Sequence, residues 1–274
     1  MARRIRINEF IHDAPAGVGQ QVHINHTGCP AGTDRRKRLY IKRLPDRVVC
    51  YCHNCGGSGV KYTSEDRRSL QTLRELRTKT VEHLDGCTVP EGTVYDLRQW
   101  PKHALDWVLQ YGLTTKHITT NRMGYSPVLD RVVLPVLSGD SVVFWQARRL
   151  RGEDGQKYMS SKGHTKPKMF LRTKPNSNVW AVVEDYISAI KVADVCNVCC
   201  LFGTVLDSET AMMLKSRGAS EIRLWLDGDT AGASGAVGAR KTLQLHYPEF
   251  AINIVHSETQ PKETDLETIE RLLK

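Results

Sequence analysis

Two groups of residues in this chain have the types and spacing for metal chemistry. In EIRLWLDGDTAG, residues 221–232, Asp227 and Asp229 stand one residue apart at the end of an apolar run. Like charges this close raise each other's pKa unless a positive group lies between them. The pair therefore either faces water in an ordinary turn or seats a cation. In an extended chain both side chains point to the same side, and Gly228 leaves the position between them free of bulk. Open carboxylates of this kind suit Mg²⁺ or Mn²⁺, which keep water and bind substrate phosphates.

The second group is His26-Thr-Gly-Cys29 with Cys52-His-Asn-Cys55. Two intervening residues let each pair reach one ion from a tight knuckle, and three thiolates with one imidazole make a closed tetrahedral zinc set. Gly28 and Gly56 relieve the knuckles. His23, His53 and Cys50 are alternatives to His26 in that set, and plain reduced thiols in a small domain are the alternative to zinc. Between the pairs, RLYIKRLP and RVVCYC read as the strands of a ribbon. Arg35, Arg36, Lys37, Arg38, Lys42 and Arg43 form a basic run interrupted by Leu39, Tyr40 and Ile41. Such a face either meets single-stranded nucleic acid through phosphates and stacking or is simply solvated.

The elements that must position these groups follow from hydrophobic pattern. Residues 64–86 carry Leu70, Leu73, Leu76 and Val81 near helical spacing among charges, which predicts a connecting helix. DLRQWPKHALDWVLQYGL predicts a helix after Pro101, with Ala104, Leu105, Val108 and Leu109 on its apolar face. RVVLPVL and SVVFWQARRL predict two strands joined by SGD. From Asn178 onward strands alternate with helices: VWAVVED, VCCLFGT, EIRLWLD and AINIVHS are the strands. That alternation predicts an α/β region with a parallel sheet covered on both faces. Functional groups collect at the carboxyl ends of such strands. Glu184 and Asp185 end the first, Asp227 and Asp229 the third, and Glu263 and Asp265 follow the fourth.

Composition bounds the rest. The 274 residues carry a net charge of +9, which favours a polyanionic partner, although a generally basic surface accounts for it equally. No apolar run is long enough to span a bilayer, and the basic start MARRIRINEF lacks the apolar core of a secretory signal. A cytosolic protein is expected, and its eight cysteines are not read as a disulfide framework. Cys196, Cys199 and Cys200 lie in an apolar run and read as core thiols.

Glu184 at a strand end, Phe202-Gly-Thr204, and DGDTAG at 227–232 resemble the Toprim domain of primases and type IA topoisomerases. RVVLPVLSGDSVVFWQARRLRGEDGQKYMSS resembles the basic subdomain that precedes Toprim in bacterial and bacteriophage primases, and a zinc ribbon in front completes the primase order. The resemblance implies a zinc ribbon over 1–62, a connecting segment over 63–87, a mixed α+β basic subdomain over 88–177 and a Toprim domain over 178–274. It implies that Glu184, Asp227, Asp229 and Asp265 bind Mg²⁺ or Mn²⁺. Arg148 matches the arginine of the basic strand and Lys157 the lysine before tyrosine, both beside nucleotide and template. The chain departs from the pattern at Asp185, where the family usually has glycine; that extra acid either joins the metal site or caps the next helix.

The activity so implied is synthesis of short RNA primers on single-stranded DNA from ribonucleoside triphosphates. A metal-dependent nuclease using the same acids, and a non-catalytic binder of single strands, are the alternatives. No GxxxxGK[ST] phosphate loop is present, so a replicative helicase is expected to act in trans.

Overall fold

The computed structural model describes residues 4–44, 47–62, 87–152, 155–162 and 166–274. The connecting helix expected over 64–86 lies outside them. The chain forms two compact units, one of residues 1–79, 206–220 and 237–252, the other of residues 80–205, 221–236 and 253–274.

The first unit is built on an antiparallel sheet of β1 (Gln21–Ile24), β2 (Leu39–Arg43), β3 (Arg47–Cys52) and β4 (Ser58–Tyr62), in that order. Period-two alternation puts Leu39 and Ile41 on one face, where they pack with Val48, Cys50, Ile5 and Phe10 into a small buried core. So few apolar side chains are a thin core for a polar segment, which is where a bound ion adds folding energy. The unit also includes the helix Ser208–Ser216 and the latter part of the helix Thr230–His246. Arg47 joins these pieces. Its guanidinium lies 4.2 Å from the Tyr247 ring, 4.9 Å from the Tyr62 ring and 3.6 Å from Glu249. Glu249 also accepts from the Tyr62 hydroxyl at 2.9 Å and pairs with Lys215 at 3.0 Å.

The second unit holds an antiparallel sheet, β5 (Gly124–Ser126), β6 (Arg131–Ser138), β7 (Ser141–Arg149) and β8 (Tyr158–Ser160). β6 and β7 are the hairpin read from RVVLPVL and SVVFWQARRL. The helix after Pro101 runs Lys102–Leu109 and buries Ala104 and Val108, but Leu109 is 42% exposed. Its buried face ends one residue short of the expectation.

Strands β9 (Met169–Leu171), β10 (Val179–Val183), β11 (Asn197–Cys200), β12 (Glu221–Leu224) and β13 (Ala251–Ile254) form a sheet in the order β13-β12-β10-β11-β9. β10 pairs in parallel with both β11 and β12, while β9 runs antiparallel to β11. All of β11 and nearly all of β10 are buried, as expected of central strands covered on both faces. Cys196, Cys199 and Cys200 are buried free thiols here. Because β10 and β12 run the same way, the residues that follow them, Glu184 and Asp227, emerge on the same edge. Among the described residues, no helix is long and apolar enough to cross a membrane.

Candidate functional site

In the ribbon, the ligand atoms of His26, Cys29, Cys52 and Cys55 lie within 4.8 Å of one another, the one such group of three or more among the described residues. His26 Nδ1 is 3.6 Å from Cys55 Sγ, and the Cys29 and Cys52 sulfurs are 4.0 Å apart. This set can hold zinc. His26 is buried, and its other ring nitrogen faces Glu9 Oε2 at 3.3 Å, the carboxylate contact that fixes a ligating imidazole. Asn54 Nδ2 donates to Cys29 Sγ at 3.3 Å. The alternatives to His26 are used otherwise: His23 stacks on Tyr40 at 3.8 Å, His53 tilts against the same ring, and Cys50 lies in the core.

The acid site begins where β10 and β12 end. The Asp227 N–H donates to Glu184 Oε1 at 2.9 Å. Asp229 starts the helix Thr230–His246: its Oδ1 accepts from the Gly232 N–H at 2.7 Å, and its carbonyl accepts from Ala233. A Cβ on Gly232 would collide with the Asp227 carbonyl oxygen and meet Glu184 Oε1 at 2.7 Å, so only glycine passes between them. Asp227 Oδ1 is buried and receives no hydrogen bond from the protein. Burial holds the carboxyl pKa values of both Glu184 and Asp227 above the usual range, and neighbouring acids push the same way. An orphaned buried oxygen among crowded acids fits a divalent cation by donor chemistry.

Asp185 is engaged otherwise. It caps the helix Tyr186–Val192, accepting from the N–H groups of Ile187 and Ser188 at 3.0 and 3.1 Å. Its second oxygen accepts from Ser188 Oγ at 2.7 Å and pairs with Lys262 Nζ at 3.2 Å. Asp265 likewise caps a helix, Leu266–Leu273, through the Thr268 N–H at 2.8 Å. From that segment Lys262 bears most on Asp227, lowering its pKa, and of the acids there it is Glu263 whose charge reaches Asp227.

Arg148 projects from β7 with Nε and Nη1 buried and donating to no protein group. Its guanidinium lies 5.2 Å from the Tyr158 ring and 5.9 Å from that of Trp107. Burial, reinforced by the charge of Asp185, pushes the Tyr158 hydroxyl up to about 12, so it stays a neutral donor. Lys157 is exposed. Its carbonyl is held by the Arg149 N–H at 3.0 Å and by buried Arg131, which also grips the Gln156 carbonyl.

No protein-family model matches the sequence, and no curated protein does. Among solved structures, the zinc-binding and RNA polymerase domains of the Aquifex aeolicus primase align over 98% of this chain and 82% of that one. The TM-score is 0.54 at 18% identity. The RNA polymerase domain of the Mycobacterium tuberculosis primase aligns over 74% of this chain and 82% of its own, with a TM-score of 0.54 at 15% identity. The fold is of the primase type.

In this primase-type fold the basic run of the ribbon is divided in role. Arg35, Arg36 and Lys37 are exposed. Arg38 pairs with buried Asp34, and Arg43 Nε donates to the Pro15 carbonyl. Asp34 accepts from the N–H groups of Arg36, His26 and Arg38, which hold its carboxyl well below the usual range although burial works against them. Lys42 is half-buried on β2. Sequence reasoning missed Lys262, Tyr158 and Trp107. The tyrosine was within reach, standing next to Lys157, but Lys262 and Trp107 join the site only through tertiary folding.

Proposed function

We propose that this chain is a DNA primase with a Toprim-type core. The observation that carries the reading is Asp227: linked through its N–H to Glu184, and with a buried carboxylate oxygen that no protein group satisfies. Glu184, Asp227 and Asp229 would hold Mg²⁺ or Mn²⁺, which when bound supplies Lewis-acid stabilisation of phosphate charge. The reaction we assign is attack of the 3′-hydroxyl of one ribonucleotide on the α-phosphorus of a nucleoside triphosphate. The new O3′–P bond forms as the bond to the bridging oxygen breaks, pyrophosphate leaves, and the hydroxyl proton passes to solvent.

This chain's own residues then position and neutralise. Arg148, with unpaired donors, is suited to the triphosphate, and Lys157 to phosphates at the rim. Trp107 and Tyr158 keep the guanidinium in place through their ring faces. The ribbon's exposed Arg35, Arg36 and Lys37, with Lys42 and the Tyr40 ring, would engage single-stranded template, where Arg38 and Arg43 serve the ribbon's own structure. A replicative helicase would be its partner, in the cytosol.

The test is labelled-ribonucleotide incorporation on a mixed single-stranded DNA pool with Mg²⁺ or Mn²⁺. Short RNA made by the wild type and not by Asp227→Ala is the expected result. Template loss without RNA would replace this reading with a nuclease, and survival of both template and nucleotides would replace it with a binding module.

A further inference from the structure

Two pieces of chain far along the sequence share the ribbon's unit, the helix Ser208–Ser216 and residues 237–252. One ribbon side chain is buried against them. Arg47 opens β3, its side chain is 5% exposed, and its guanidinium meets two aromatic rings and a carboxylate. Tyr62 of β4 gives one ring, and its hydroxyl accepts from Arg47 Nη1 at 3.2 Å. Tyr247 gives the other ring and Glu249 the carboxylate. These distant partners are braced in turn. Tyr247 stacks on Phe250 at 5.1 Å, and the Lys215 ammonium lies 5.5 Å from the Phe250 ring while pairing with Glu249. Burial raises the Glu249 carboxyl, but backbone, Lys215 and the Tyr62 hydroxyl hold it below its ordinary value, so it stays ionised opposite Arg47. Buried His246 is pushed down to about 4, by burial first and then by the charges of Lys42 and Arg47, so it adds no positive charge there.

We propose that Arg47 is a latch seating the ribbon on its own chain's distant segments, so that the ribbon stays bound when the segment joining them is cut and does not exchange with a second copy. A guanidinium suits this role, because its flat face lies on rings while its edge donates to hydroxyl and carboxylate. A pair this buried is little screened by salt. Removing one partner of such a pair acts mainly on the rate of release. The ribbon is then a fixed part of the fold, and each chain works with its own. The latch holds whatever reaction the acids carry out.

The experiment uses the zinc-loaded full chain with a specific protease site placed within residues 70–79, cut to completion and run on gel filtration. Wild type should keep ribbon and remainder in one peak, zinc included, at low and high salt. Mixed with excess affinity-tagged cut chain, its ribbon should stay with its own partner. Tyr247→Leu with Glu249→Ala leaves the ribbon's own residues unchanged, and should release it with its zinc or speed its exchange by roughly tenfold or more. Arg47→Met should do the same, and Arg47→Lys, which keeps the charge without the planar fork, should fall between. A ribbon that elutes apart from the wild-type remainder overturns the latch. So does a ribbon that stays seated and unexchanged in the Tyr247/Glu249 double variant.

Discussion

The main-chain N–H of Asp227 reaches Glu184 Oε1 across 2.9 Å, so two acids at the ends of neighbouring parallel strands are tied through the backbone. The tie fixes their spacing but leaves their charges to repel.

That repulsion has a definite sign. Both carboxyls have folded-state pKa values above their unfolded ones: burial raises them most, the Asp227 N–H on Glu184 and the Lys262 charge near Asp227 pull back, and neighbouring acids add to the rise. The stability tied to them is present at low pH and lost as pH rises through the carboxylate range. Without added divalent ion, Glu184→Gln and Asp227→Asn should each melt about 2 °C higher than wild type at pH 7, with the gain vanishing near pH 4. Added Mn²⁺ should raise the melting temperature of wild type and leave Asp227→Asn unmoved. A neutral variant less stable than wild type at pH 7 would show that the acids are not strained.

The acids after β13 should separate cleanly. Asp265 caps a helix, so Asp265→Ala should lower the urea midpoint and leave Mn²⁺ affinity intact. Glu263 bears on Asp227, so Glu263→Gln should weaken Mn²⁺ binding without that loss of stability. The reverse pattern would restore Asp265 as the metal acid.

In the ribbon, Glu9 contacts the imidazole nitrogen of His26 that faces away from the three sulfurs. Glu9→Gln should reduce zinc affinity by about 10-fold or more in competition with a chromogenic chelator. Cys52→Ser should abolish stoichiometric zinc. Unchanged affinity in Glu9→Gln would limit Glu9 to holding the N-terminal turn.

The site was legible where chemistry and local pattern coincide. Asp227, Asp229 and Glu184 stand at the ends of apolar runs, so period and position alone bring them to one edge. The x-x spacing of His26/Cys29 and Cys52/Cys55 carries its own geometry. Residues that act through tertiary contact were less legible. Lys262 lies 77 positions from Asp185, and nothing in PKET marks it as their partner. Asp265 followed a resemblance, and its use as the cap of the helix beginning at Leu266 is what the resemblance did not carry. Arg38 and Arg43 read as free basic surface because the buried Asp34 and the Pro15 carbonyl that bind them leave no trace in the pattern.

Gly232 carries one more consequence. A glycine codon reaches only Ala, Val, Asp, Glu, Arg, Ser, Cys or Trp by a single-base missense change, and every one of these adds a Cβ. At this position the added atom would drive against the Asp227 carbonyl and the Glu184 carboxylate together. The codon therefore has no neutral missense neighbour. In a saturation library selected for primer synthesis, position 232 should return glycine alone, even where Glu184, Asp227 and Asp229 tolerate an occasional exchange of Asp and Glu.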